Sequence, residues 1–322
     1  MSEEDHPRLR YALDGMERQG AAFEASLARE RLHHAWLLTG PEGLGKASFA
    51  YRAARRLLGA KLDPAYGPLG ASPDDRICRL IASQSHPDLL MLERTGEGAR
   101  KVIPVEQARR LPEFFAKAPA MGPYRVAIID AVDDLNANGA NAVLKTLEEP
   151  SGQGIVFLIS HAPGRLLPTI RSRCRTLAFR PWTDEAVRDS LNGMDEDDAA
   201  CIAAMAKGSP GRAAALSQTN ARELDRMARE IMAATLPRAA LMSLSESFRG
   251  GEGPARFALF IDRLSSAARE RAKAADPRVA ALWAELWGRI TAMPGRVEGL
   301  NLDRADAFWT LVSDIAATTR TA

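Results

Sequence analysis

The stretch Gly40-Pro41-Glu42-Gly43-Leu44-Gly45-Lys46-Ala47 constrains this chain more than any other. It follows a short apolar run, Trp36-Leu37-Leu38-Thr39, and it opens a segment of helical periodicity from Lys46 to Leu58. Strand, glycine-rich turn and helix in that order fit the pattern G-x-x-x-x-G-K. In that pattern backbone N–H groups close around phosphate oxygens, the helix N-terminus adds partial positive charge, and the lysine reaches the β- and γ-phosphates. One position departs from it. Ala47 stands where Ser or Thr normally holds Mg²⁺. Ser48 is no substitute, because one step along a helix turns the side chain by about 100°. The loop therefore reads in two ways: a degenerate site for ATP or ADP built on Gly40, Gly45 and Lys46, or a glycine-rich turn kept for its shape.

The surroundings of the loop give the fold class. Strand-like runs at Trp36–Thr39, Asp88–Leu92, Arg125–Asp130, Ile155–Ser160 and Arg175–Phe179 alternate with helical patterns at Lys46–Leu58, Val105–Lys117 and Asn138–Glu149. Such alternation predicts an α/β domain with a mostly parallel sheet and helices on both faces. In the helix after the loop, Phe49, Ala50, Ala53, Ala54, Leu57 and Leu58 share one face, which places Arg52, Arg55 and Arg56 on the opposite, solvated one. Residues 59–76, rich in Gly, Pro and Asp, read as a surface loop or insertion. After Pro181 the strand signals stop. Thr183-Asp184-Glu185 reads as a helix start, and Gly208-Ser209-Pro210-Gly211 as a break. Helical patterns then run to the end, punctuated at Pro237, Gly250 to Pro254, Pro277 and Pro294-Gly295. Three parts are expected: an α/β domain over 1–180, a small helical domain over 181–221 and a larger helical domain over 222–322.

Length and composition agree with several domains and narrow the functions. The chain has 322 residues and is 46% hydrophobic, enough for a packed core. Lys and Arg number 43 against 41 Asp and Glu, so no strong basic excess marks a nucleic-acid binder, and any DNA contact should be local or shared with partners. Cys78, Cys174 and Cys201 lie far apart, offering no metal-binding or disulfide spacing, and are read as reduced thiols. Met1 to Arg10 lacks an apolar signal core, and no run approaches the roughly 18 apolar residues of a membrane span. A soluble, cytoplasmic protein is expected.

A second motif bears on hydrolysis. Arg125-Val126-Ala127-Ile128-Ile129-Asp130 ends an apolar strand with a carboxylate, the Walker B pattern, and Asp130 is placed to orient Mg²⁺ through water. An active ATPase of this class carries a Glu directly after it to hold the attacking water; here the residue is Ala131. Asp133 and Asp134 lie beyond the strand end and do not substitute. With Ala47 and Ala131 both blank, hydrolysis by this chain is not expected.

Four segments in order carry a resemblance: His33-His34-Ala35-Trp36-Leu37-Leu38-Thr39-Gly40-Pro41, His86-Pro87-Asp88-Leu89-Leu90, Asn141-Ala142-Val143-Leu144-Lys145-Thr146-Leu147-Glu148-Glu149-Pro150 and Pro168-Thr169-Ile170-Arg171-Ser172-Arg173-Cys174. Together, over roughly residues 20–215, they resemble the bacterial clamp-loader AAA+ proteins. The resemblance implies an AAA+ P-loop domain over 1–180, a helical lid over 181–221 and a collar that joins subunits over 222–322. The family holds active gamma or tau motors and a non-hydrolysing partner, and the two blank alanines point to the second kind. Implied partners are gamma/tau ATPase subunits and the delta subunit, with the sliding clamp and primer-template DNA met through the assembly. Any DNA-directed polymerase (nucleotidyltransferase) activity would belong to that assembly. Family members often carry a four-cysteine zinc module after the first helix. The corresponding stretch here holds only Cys78, so no zinc is expected.

The resemblance singles out Arg173. In similar clamp loaders the arginine of Ser-Arg-Cys crosses a subunit boundary to the neighbour's ATP, where a guanidinium can bridge phosphate oxygens. From spacing alone it reads as an ordinary surface arginine, with Arg171 and Arg175 close by; the ordered motifs favour the trans role. Ser172 is read as orienting the turn, and Cys174 as a small apolar residue. Ser160, with His161, falls at the family's sensor-1 position, either sensing a γ-phosphate or closing a strand end. Arg212 lies one residue later than the motor subunits' sensor-2 arginine. His33 and His34 read as packing or backbone-bonding residues, Lys145 as an ion-pair partner of Glu148 and Glu149, and Trp283 and Trp287 as one face of a core or subunit seam, with Trp309 in the same helical part. An active gamma/tau-type ATPase and a P-loop small-molecule kinase are the alternative functions. Ala47 and Ala131 oppose the first, and the long helical half opposes the second.

Overall fold

A computed structural model of the chain describes residues 6–12, 14–29, 32–95, 102–150 and 152–321. Among them five strands, β1 Ala35–Thr39, β2 Leu89–Glu93, β3 Arg125–Asp130, β4 Gly154–Ser160 and β5 Arg175–Ala178, form one sheet in the order β2-β3-β4-β1-β5. Every pairing is parallel. The central strands are unbroken apolar runs because both faces are covered. Alternate residues separate into two cores. Trp36, Leu38, Val126, Ile128, Ile155, Phe157 and Ile159 point to one side, and Leu37, Ala127, Ile129, Val156 and Leu158 to the other.

Each face receives three helices. On the first lie α1 Glu17–Ala28, α2 Lys46–Leu57 and α3 Arg76–Ala82, which contribute Phe23, Phe49, Ala53 and Ile81. The Phe23 ring packs 5.1 Å from Trp36 and 5.8 Å from Phe157. On the second lie α4 Val105–Ala116, α5 Ala137–Glu148 and α6 Pro168–Ser172, through Ala108, Leu111, Val143, Leu147 and Ile170. The expected parallel α/β architecture is thus the observed one. Helices follow: α7 Asp184–Asp189, capped by Thr183 as expected, then α8 Glu196–Ala206, α9 Pro210–Ser217, α10 Ala221–Met232, α11 Arg238–Glu246, α12 Gly253–Ala274, α13 Pro277–Leu300 and α14 Arg304–Thr321.

By compactness the chain divides into two units. One takes in residues up to Asn192 together with Ala203–Ala213, and the other Gly193–Ile202 with the chain from Ala214 onward. The second unit has its own core. Phe248, Phe260 and Phe308 are fully buried there, with ring centroids 5.4 to 5.6 Å apart. The unit is all-helical, the fold class expected of the C-terminal part.

Two local expectations are corrected. Helix α13 runs straight through Pro294-Gly295, where a break was expected. An internal proline costs about 3 kcal/mol. The flanking Ile290, Met293 and Val297 are all buried, and each gains about 1.5–3 kcal/mol on burial, which outweighs that cost. Trp283 is buried as a core residue; Trp287, one turn on, is 40% exposed, as the seam reading of that face allows.

The second correction concerns the arginines of α2. Arg52 and Arg55 do not face solvent; they are 3% and 1% exposed. Arg52 donates to the carbonyls of Tyr11, Tyr66 and Pro68. Arg55 donates to those of Arg8 and Arg10 and lies 4.1 Å over the Tyr11 ring. A guanidinium has donors but no acceptor, so buried carbonyls can satisfy it without an acid. Residues 59–76 are therefore not merely a surface excursion. Ala60, Leu69 and Ala71 are buried, and Pro64–Tyr66 forms a 3₁₀ turn under the grip of Arg52.

Candidate functional site

The phosphate-loop motif lies at the carboxyl end of the sheet. Register aligns Thr39 with Ser160, and Asp130 with Ile159, so β1, β3 and β4 deliver Gly40, Asp130 and Ser160 to the same edge. Gly40 has φ +139°, and a Cβ there would stand 2.3 Å from the carbonyl oxygen of Phe179. The loop tip at Gly43 (φ +78°) would drive a Cβ to 2.2 Å from Ser209 Oγ. This close approach is bonded: Ser209 Oγ donates to the Glu42 carbonyl at 3.0 Å, and the Gly211 N–H donates to that of Gly43 at 3.0 Å. Gly45 caps α2 in a left-handed conformation.

Lys46 is 3% exposed and donates to the carbonyls of Gly40 and Pro41, within its own loop. Burial pulls its pKa down to about 8, against the pull of Asp130, Glu42 and Asp133. Asp130 has its pKa raised by burial, with His161 and Arg94 opposing. The fit to a magnesium-bound nucleotide is partial. The glycine turn, Lys46 and Asp130 are present, but Ala47 and the buried Ala131 place methyl groups where a hydroxyl and a carboxylate are needed.

Asp133 has a task the sequence did not show. Ser160 Oγ donates to its Oδ1 at 2.9 Å and the His161 N–H to its Oδ2 at 2.6 Å. Arg94, at the end of β2, was also missed. It lies 3.2 Å from Glu42 of the loop and 3.7 Å from Asp134. Its position just after a strand was the one available hint. The pairing spans two distant segments and has no signal in spacing. Burial, and after it the nearby Lys46, pull the His161 pKa down, against Glu42, Asp130 and Asp133.

Arg173 is at the opposite edge. It caps α6 immediately ahead of β5, and β5 runs parallel to β1 with Arg175 level with Trp36 and Ala178 level with Thr39. At about 3.3 Å per strand residue, the level of Arg175 is about 13 Å from that of Gly40. The guanidinium donates from Nη1 to the Thr169 carbonyl at 3.1 Å and from Nη2 to Glu148 Oε1 at 2.9 Å. Its side chain keeps 37% exposure. Arg175 is occupied differently, bonded to Ser26 Oγ at 3.1 Å and lying 5.1 Å over the Trp36 ring.

The remaining residues singled out by sequence take modest roles. Ser172 Oγ donates to the Thr169 carbonyl at 3.1 Å. Cys174 packs against the second core, and burial pushes its thiol up to about 12, far from a reactive thiolate. His33 bonds the Ala35 backbone, and His34 Nε2 lies 3.2 Å from the Leu147 carbonyl. The Arg212 N–H donates to Ser209 Oγ at 3.2 Å. Glu148, expected to pair with Lys145 along its helix, pairs across to Arg173 instead. Trp309 is partly buried against the core of the second unit.

Comparison with known proteins places this geometry. The family described as DNA polymerase III, delta subunit, matches residues 15–183, just over half of the chain. The DNA polymerase III subunit delta′ of Pseudomonas aeruginosa is 42% identical over 156 residues, covering 48% of this chain and 46% of the relative. That of Escherichia coli is 28% identical over 282 residues, covering 86% and 82%. The chain thus spans about half the length of the first relative and about four-fifths of the second. Among solved structures, a DNA polymerase III gamma-subunit-related protein from Thermotoga maritima superposes with a TM-score of 0.51 at 16% identity, over 94% of this chain and 98% of the other, a likeness of fold. With the ordered motifs, the parallel sheet and the family match in agreement, this chain belongs to the DNA polymerase III delta-subunit family.

Proposed function

We propose that this chain is the delta-prime-type subunit of a DNA polymerase III clamp loader, helping to load the sliding clamp onto primed DNA in the cytoplasm. In this reading it hydrolyses no ATP itself and supplies Arg173 to the ATP of a neighbouring gamma/tau-type subunit. The strand register carries the argument. Arg173 emerges at the edge of the sheet opposite its own phosphate loop, so any nucleotide it serves is another chain's. A fork already bonded to Thr169 and Glu148, yet partly exposed, suits bidentate contact with phosphate oxygens. Ala47 and Ala131 fit the same division of labour.

Gly40, Gly45, Lys46 and Asp130 are then a degenerate nucleotide site, and Ser160, tied to Asp133, is part of its rim. Residues 181–221 serve as the lid and 222–322 as the collar. A delta-type subunit is the other neighbour. The test is ATP hydrolysis stimulated by clamp and primed DNA in the reconstituted loader. The isolated chain should be silent, and Arg173→Ala should assemble normally but slow hydrolysis by roughly 10³-fold, the lower end for trans arginines in other nucleotide hydrolases. An unaffected mutant assembly, or hydrolysis by the isolated chain, would overturn the reading.

A further inference from the structure

We infer that Glu148 is the positioning residue for Arg173, holding its guanidinium in the orientation used across the subunit boundary; the inference rests on the trans role proposed above. Glu148 is the last residue of α5, and its Oε1 lies 2.9 Å from Arg173 Nη2. An acid at this helix end is electrostatically unfavourable on its own, since the carbonyl end of a helix carries partial negative charge. Lys145 lies on the same helix, but the carboxylate turns to Arg173 on a different element. The guanidinium is thereby fixed at two points, Nη2 on Glu148 and Nη1 on the Thr169 carbonyl.

The support beneath Glu148 is rigid. Thr146 and Leu147 are buried, and the Leu147 carbonyl is bonded by His34 at 3.2 Å, just ahead of β1. The carboxylate therefore projects from a backbone fixed to the sheet. Arginine is rich in rotamers, and a free one must be ordered each time it meets a phosphate. A partner that orders it beforehand removes that cost, and ordering one such side chain is worth roughly 2- to 10-fold. The carboxylate also offsets part of the cation's charge. Because the pair is solvent-exposed, water screens that effect and orientation dominates.

The experiment uses the reconstituted loader with wild-type chain, Glu148→Ala, Glu148→Gln, Arg173→Ala and the double variant Glu148→Ala/Arg173→Ala. The readouts are kcat and KM for stimulated ATP hydrolysis, with melting temperature as a check on folding. Glu148→Ala should lower kcat roughly 2- to 10-fold, with melting and assembly unchanged, because the residue is exposed. Glu148→Gln keeps an acceptor oxygen for Nη2 and should recover part of the rate. In the Arg173→Ala background, Glu148→Ala should add nothing. Three results would sink the inference while leaving the trans role standing: a wild-type or faster rate for Glu148→Ala beside a slow Arg173→Ala, an equal further loss in the double variant, or no recovery by glutamine. A wild-type rate for Arg173→Ala would instead remove the trans role itself.

Discussion

Asp133 joins two strand ends by holding the Ser160 hydroxyl at 2.9 Å with one carboxylate oxygen and the His161 N–H at 2.6 Å with the other. Ser160 is fully buried, so its hydroxyl has no water to fall back on. Asp133→Ala should cost about 2–4 kcal/mol, because two donors lose a charged acceptor. Asp133→Asn, which keeps one carbonyl oxygen, should cost less. Urea unfolding read at the midpoint, with unchanged slope, checks both.

Lys46 makes stability depend on pH in a stated direction. Its pKa is 10.5 in an ordinary setting and about 8 here, chiefly through burial. Between these values the unfolded chain holds a proton that the folded chain lacks, so stability rises with pH across the window. Below about pH 8 both forms are charged, and the full cost of burying the ammonium is present. The stability of wild type minus that of Lys46→Met should therefore rise from pH 8 to pH 10. Chemical denaturation at stepped pH measures it, and a flat or falling difference would contradict the burial of this lysine.

Arg52 ties three carbonyls from two segments to α2. Arg52→Met keeps the length of the stem and removes the donors. It should cost about 3 kcal/mol, since buried acceptors lose their partners. Amide exchange should quicken over residues 59–72 more than in β3 or β4. Uniform protection there would mean that the loop is held by its own apolar contacts.

Phe308 sits at the centre of the aromatic cluster in the second unit, 5.5 Å from Phe248 and 5.6 Å from Phe260. Truncation to alanine leaves a cavity among fully buried rings and should cost about 3–5 kcal/mol. Phe308→Leu, which fills part of the space, should cost about half as much. Calorimetry on both variants tests this, and under the proposed collar role loss of assembly should follow the same order.

Much of the first unit is legible in the chain itself. Buried parallel strands are continuous apolar runs, and glycine–lysine punctuation between β1 and α2 is local. The blank positions Ala47 and Ala131 are read directly, because they are judged against fixed neighbours one residue away. Pro294 was misjudged because helix breaking is also a local rule, whereas the burial of Ile290, Met293 and Val297 that overrides it is tertiary.

Charge is where the sequence runs out. An amphipathic pattern assigns Arg52 and Arg55 to water, and only the fold brings the carbonyls of Tyr11, Tyr66, Arg8 and Arg10 over them. The same holds for Arg94 with Glu42, for Asp133 with Ser160, and for Glu148 with Arg173. By itself the sequence determined the strands, the turn, the alanines at two motif positions and the place of Arg173 in the order of motifs. The tertiary structure decided which partner each charged side chain has and to which edge of the sheet Arg173 belongs. The physical reason is range: backbone conformation follows from near neighbours, while a long charged side chain is satisfied by whatever acceptor the packed chain places within about 3 Å.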